Sequence, residues 1–144
     1  VAKKPKILLI ADDEAEVLDG LRIIFSRFVD EVRTAADGLE ALAIVNAVDV
    51  TSVISDIRMP KLDGVGLIRE LRERGVAVPV IFYTGHGHEE LLRDVVKYGA
   101  FDFVDKPDLA GLEEVVHRAL ALAARGTDDA ADLAAILEAL QETK

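Results

Sequence analysis

Asp12, Asp13, Asp56, Thr84 and Lys106 are the side chains of this 144-residue sequence whose types suit phosphoryl transfer. Asp56 stands at the head of the argument. An apolar run over residues 53–55 stops at this carboxylate, and Pro60 and the Asp63-Gly64 turn signal follow within eight positions. A buried strand ending at a site has this form. A carboxylate at the C-terminal tip of a central parallel strand faces the crevice where open α/β sheets do their chemistry. Its chemistry there would be nucleophilic, with Asp56 accepting a phosphoryl group.

The elements that must position these groups follow from hydrophobic periodicity. An apolar run over 6–10 halts at Asp12, Asp13 and Glu14, after which Val17, Leu18, Leu21, Ile24, Phe25 and Phe28 recur at helical spacing. A weaker strand over 32–35 precedes Gly38 and a helix over about 39–46. The third strand spans 50–55, and a third helix carries Val65, Leu67, Ile68 and Leu71 before Gly75 closes it. A fourth strand over 78–83 tolerates Pro79 only near its start. The glycine-rich loop 85–87 leads to a helix with Leu91, Leu92, Val95 and Val96, closed by Gly99. A fifth strand over 101–104 ends at Lys106-Pro107, a helix over about 109–124 follows, and Gly126 is expected to break it. Residues 127–144 read as an additional helix, with Thr127 or Asp128 as N-cap and Leu133, Ile136, Leu137 and Leu140 on one face.

Five strands alternating with five helices predict an α/β fold, a doubly wound parallel sheet with right-handed crossovers. In such a sheet the strand tips converge, so Asp12 and Asp13, Asp56, Thr84 and Lys106 should share one crevice. Clustered carboxylates repel one another unless a hard cation sits among them, and Mg²⁺ prefers such oxygen ligands. A lysine point charge and a hydroxyl would complete a phosphoryl cradle. Each residue also has a plainer explanation. Asp12, Asp13 and Glu14 could cap the first helix, Asp56 could be a turn residue, and Thr84 could be an ordinary strand residue. Lys106-Pro107 could merely end a strand before a helix.

Composition narrows the function classes. With 51% apolar and 31% charged residues the chain should fold as one globular unit. No cysteine is present, so disulfides and thiolate metal sites are excluded. A net charge of -10 opposes binding to a polyanion, and no direct nucleic-acid contact is expected. The basic start precedes only a five-residue apolar run over 7–11, so neither a signal peptide nor a membrane association is expected, and a cytoplasmic location follows.

The motifs I-L-L-I-A-D-D-E, S-D-I-R-M-P-K-L-D-G, Y-T-G-H-G and G-A-F-D-F-V-D-K-P occur in order over roughly residues 6–124. In these the chain resembles the receiver domain of bacterial two-component response regulators. The resemblance implies a flavodoxin-like sheet of order 2-1-3-4-5, with a receiver over 5–125 and a helical extension over 126–144. It implies that Asp56 accepts a phosphoryl group from a phosphohistidine or a small acyl phosphate. Asp13, Asp56 and the Arg58 backbone carbonyl would bind Mg²⁺ or Mn²⁺, with Asp12 acting through water. Thr84 and Lys106 would hold phosphoryl oxygens, Thr84 and Phe103 would form the switch, and the Lys106-Pro107 bond would be cis. Arg58 and His86 would set the lifetime of the acyl phosphate. The partners implied are a sensor histidine kinase or phosphotransfer protein and a downstream output partner or second copy of the chain; beyond its own phosphorylation and dephosphorylation the chain would not be an enzyme.

Other classes fit less well. An aspartyl phosphohydrolase usually carries a general-acid carboxylate two residues after its nucleophile, where Arg58 stands. A flavin carrier needs hydroxyls and glycines after the first strand, where three acidic residues would repel phosphate. A receiver-shaped module that is never phosphorylated would not need the full constellation. His86 and His88 suggest a metal pair but lack further ligands, and His117 reads as helix surface.

Overall fold

In a computed structural model, residues 4–85 and 89–127 are described. The element order is β1 (Ile7–Ala11), α1 (Ala15–Phe25), β2 (Glu31–Ala35), α2 (Gly38–Ala47), β3 (Ser52–Ser55), α3 (Gly64–Glu73), β4 (Val80–Thr84), α4 (Glu89–Lys97), β5 (Asp102–Asp105) and α5 (Leu109–Thr127). The strands form one parallel sheet in the order β2-β1-β3-β4-β5.

Strand alternation divides the core in two. Leu9, Val53, Val80 and Phe82 point to one face, against Ala41 and Leu42 of α2, Leu67, Ile68 and Leu71 of α3, and Val95 of α4. Leu8, Ile10, Ile54, Ile81 and Tyr83 point to the other, against Leu21 and Phe25 of α1 and Leu112, Val116 and Ala119 of α5. Helices on both faces account for the unbroken apolar runs of β1 and β4, buried at every position. β2 lies at an edge and is only partly buried; its Glu31–Arg33 ion pair, 3.0 Å long, puts charge where another strand would otherwise add.

The five strands and five helices expected over residues 6–124 are all present, with shifted ends. α5 runs through Gly126 to Thr127, so Gly126 does not break the helix and Thr127 is not the N-cap of a later one. One glycine costs a helix only about 1 kcal/mol, which does not stop a helix whose other face is packed. The additional C-terminal helix, with Leu133, Ile136, Leu137 and Leu140, lies outside the described residues. Gly75 and Gly99, both at φ 76°, end α3 and α4 as expected.

Arg72, in the last turn of α3, binds that helix to α4. Its guanidinium donates to the carbonyls of Tyr98 at 2.8 Å, Val76 at 2.8 Å and Gly99 at 3.3 Å. These carbonyls lie just beyond the C-termini of the two helices, where acceptors lack intrahelical donors and the dipole favours a cation. Arg72→Met keeps the stem but removes all three bonds, and urea unfolding should show a loss of about 2 kcal/mol.

Candidate functional site

The sheet ladder continues one residue beyond three strands, and each extra rung begins at a candidate residue. The Asp12 N–H donates to the Ala35 carbonyl at 3.0 Å, that of Asp56 to Ala11 at 2.9 Å, and that of Lys106 to Thr84 at 2.8 Å. The sheet thus fixes the backbone from which these side chains project. The loop after Asp56 returns close beneath it. The Gly64 N–H donates to the Ile57 carbonyl at 2.7 Å, and a Cβ on Gly64 would lie 2.3 Å from the Asp56 carbonyl oxygen. Only glycine permits that approach. The Asp63 carboxylate caps α3 by accepting from the Gly66 N–H at 2.7 Å.

Asp12, Asp13, Asp56, Thr84 and Lys106 converge at one end of the sheet. Lys106 Nζ lies 2.7 Å from Asp12 Oδ2 and 3.0 Å from Asp56 Oδ2. One carboxylate oxygen each from Asp12, Asp13 and Asp56 falls within 4.8 Å of the others. Asp12, Asp56 and Thr84 are buried, whereas Asp13 is exposed. Asp56 Oδ1 also accepts from the Ile57 N–H at 2.7 Å, and Asp12 Oδ1 from the Glu14 N–H at 2.9 Å. Asp12 thus closes a turn onto the N-cap residue without capping a first-turn N–H of α1, while its second oxygen faces Lys106. Glu14, the N-cap residue, makes no side-chain cap.

The electrostatics point to a shortage of positive charge. Burial pushes the Asp12 carboxyl above its ordinary value despite the Lys106 ammonium and the Glu14 N–H, and the Asp56 charge adds to the rise. For Lys106 burial acts toward the neutral amine, but its bonds to Asp12 and Asp56 outweigh this and hold the proton more firmly than usual. One ammonium thus touches two carboxyls of a cluster of three. This all-oxygen donor set fits a hard divalent cation held by a few carboxylates.

Phe103 is half-buried on β5 and stacks on Phe82, with ring centroids 5.9 Å apart and planes at 20°. Arg58 is exposed, two residues past Asp56. His86 and His88 lie outside the described residues. His117 is exposed on α5, edge-on to Phe28 at 4.8 Å, as a surface position should be. The Lys106-Pro107 bond is cis. Two supports escaped the sequence. Tyr83 places its ring 5.9 Å from Lys106 Nζ, and Ser55 Oγ donates to the Asp56 carbonyl at 2.7 Å. Their place one residue before Thr84 and Asp56 was the available signal, but strand periodicity alone directs both away from those neighbours.

Similarity to known proteins identifies the family. The family model described as "Response regulator receiver domain" matches residues 8–118. The regulatory protein AtoC of Escherichia coli is 37% identical over 116 residues, covering 80% of this chain and 25% of AtoC. The transcriptional regulatory protein FixJ of Rhizobium meliloti is 35% identical over 141 residues, 92% of this chain and 67% of FixJ. The chain thus spans about a quarter to two-thirds of the length of these relatives. Among solved structures, the chemotaxis protein CheY4 of Vibrio cholerae superposes with a TM-score of 0.74 at 26% identity, covering 81% of this chain and all of CheY4.

The raised Asp12 pKa has a definite sign in stability. Below the unfolded value of 3.8 both states hold the proton, and just above it the folded state binds more protons than the unfolded. Stability contributed by this carboxyl is therefore lost as pH rises through the window above 3.8 and stays lost at neutrality. In metal-free buffer, Asp12→Asn should gain stability relative to the parent chain as pH rises from about 4 to about 7. Urea unfolding across that range measures the difference.

Proposed function

The chain belongs to the response regulator receiver family, which acts in two-component phosphorelay signalling, and on that premise we propose that Asp56 is its phosphoryl acceptor. The observation that carries this reading is the ammonium of Lys106 held by Asp56 and Asp12 at the strand tips. An Asp56 oxygen attacks phosphorus in a phosphohistidine or a small acyl phosphate, the bond to the donor breaks, and an aspartyl phosphate forms. Little acid or base chemistry is needed, so the task of the site is to orient the donor and offset charge. Lys106 supplies one fixed positive charge. Asp13, Asp56 and the Arg58 carbonyl would hold Mg²⁺ or Mn²⁺, with Asp12 bound through water. Such an ion, when present, neutralises phosphoryl oxygens.

Thr84 then offers its hydroxyl to a phosphoryl oxygen, and Phe103 repacks with it. Both residues lie where β4 and β5 pair, so a shift there alters the surface of α4, β5 and α5. That surface meets an output partner or a second copy. We assign the donor role to a sensor histidine kinase or phosphotransfer protein, and no catalysis to the chain beyond its own phosphorylation and dephosphorylation. Net charge of -10 speaks against nucleic acid as its ligand. No helix among the described residues is long and apolar enough to cross a membrane, and we place the chain in the cytoplasm. We divide it into a receiver over 5–125 and a helical extension over 126–144, with the boundary inside the last turn of α5.

Incubation with acetyl phosphate and Mg²⁺ should add one phosphoryl group, located at Asp56 by mass spectrometry. Asp56→Asn should remove it, and Lys106→Ala should slow its addition by about 100-fold. Modification of Asp56→Asn at the parent rate would overturn the assignment.

Arg58 is exposed beside the acceptor and carries a permanent charge, so it shields phosphoryl oxygens better than it positions water. Arg58→Asn should hasten loss of phosphate by about tenfold, or ~1.4 kcal/mol of barrier. A neutral His86 can accept a proton from water, so His86→Ala should change decay less and flatten its dependence on pH between about 6 and 8. Timed decay at several pH values checks both.

A further inference from the structure

The corner between β2 and α2 lies outside the cluster of Asp12, Asp13 and Asp56, yet it grips the chain on both sides of that cluster. On one side the Ala35 carbonyl accepts the Asp12 N–H at 3.0 Å. On the other, the Gly38 N–H donates to the Leu62 carbonyl at 2.9 Å, at the tip of the loop that leaves Asp56. Contact there is so close that a Cβ on Gly38 would lie 2.2 Å from the Leu62 oxygen. Between them stands Asp37, buried, whose Oδ1 caps α2 through the Glu40 N–H at 2.8 Å while Oδ2 lies 3.7 Å from Lys61 Nζ. Lys61 has φ 69°, a left-handed conformation that a lysine holds only when its surroundings impose it. Glu40 Oε2 completes the corner by accepting from the Ala36 N–H at 2.8 Å.

We propose that Asp37 and Gly38 are positioning residues for the divalent-cation site, clamping the Arg58–Leu62 loop against the strand that carries Asp12. The inference rests on the metal assignment made above. A cation among Asp12, Asp13, Asp56 and the Arg58 carbonyl takes ligands from two chain segments, and their spacing sets its coordination. The β2–α2 corner bonds to both segments. The bond from the Gly64 N–H to the Ile57 carbonyl closes the base of the loop under Asp56, and the bond from the Gly38 N–H to the Leu62 carbonyl joins the loop to the corner that also holds Asp12. Groups that hold ligands without touching the ion govern affinity in this way.

The test is a titration with Mn²⁺ alone, followed by electron paramagnetic resonance, with thermal melting of each metal-free protein alongside. Gly38→Ala should weaken Mn²⁺ binding about tenfold. Helix propensity alone would favour alanine at this position, so the loss is not that of a weakened α2. Gly20→Ala, where an added Cβ meets nothing within 4 Å, should bind Mn²⁺ as the parent does. Lys61→Met provides a surface variant should Gly38→Ala not melt cooperatively. Removing a positive charge would by itself tighten cation binding, whereas releasing the loop weakens it. Weaker binding in Lys61→Met supports the clamp. Parent-like affinity in Gly38→Ala, or tighter binding in Lys61→Met, overturns it. A parent chain that binds no Mn²⁺ would overturn the metal assignment, and the inference with it.

Discussion

Everything at the working end of this molecule depends on one ammonium reaching two carboxylates. Lys106 leaves the end of the edge strand β5, and its side chain crosses the tip of β4 to meet Asp56 beyond β3 and Asp12 beyond β1. Small residues lie beneath that crossing. Thr84 ends β4, and a Cβ on Gly85 would lie 3.9 Å from Lys106 Cδ. Buried carboxylates at adjacent strand tips would be costly without this charge, because desolvation favours their neutral forms. Burial still pushes Asp12 toward protonation in spite of this lysine.

The sequence made the strand-end residues legible because parallel sheets concentrate chemistry on one edge. Asp12, Asp56, Thr84 and Lys106 each follow or close an apolar run, and a doubly wound topology leaves such positions little choice but to meet. Contacts between loops were not legible. Gly38 and Leu62 are brought together by α2 and α3 packing side by side on one face of the sheet, a consequence of strand order that local propensity does not encode. Tyr83 and Ser55 were hidden for a related reason. Each belongs to a continuous apolar or small-residue run, where every position is buried and none is distinguished by pattern.

Element ends moved where backbone pairing overrode side-chain type. Asp105 enters β5 although aspartate is a poor strand former, because β4 offers Thr84 as its partner. Val50 drops out of β3, although its type suits a strand, since the ladder to β1 begins at Ser52. Gly126 stays inside α5 for the converse reason: a packed helix outlasts one unfavourable residue.

The rungs that begin at Asp12, Asp56 and Lys106 tie the site to sheet register. A strand displaced by one residue turns every side chain on it to the opposite face. Displacement of β1, β3 or β5 would thus remove a carboxylate or the ammonium from the crevice in one step, and no loop movement could restore it. The proposed phosphoryl chemistry is therefore tied to a correctly registered sheet. A copy with a slipped strand would lack the proposed site, so the site depends on the register of the fold that supports it.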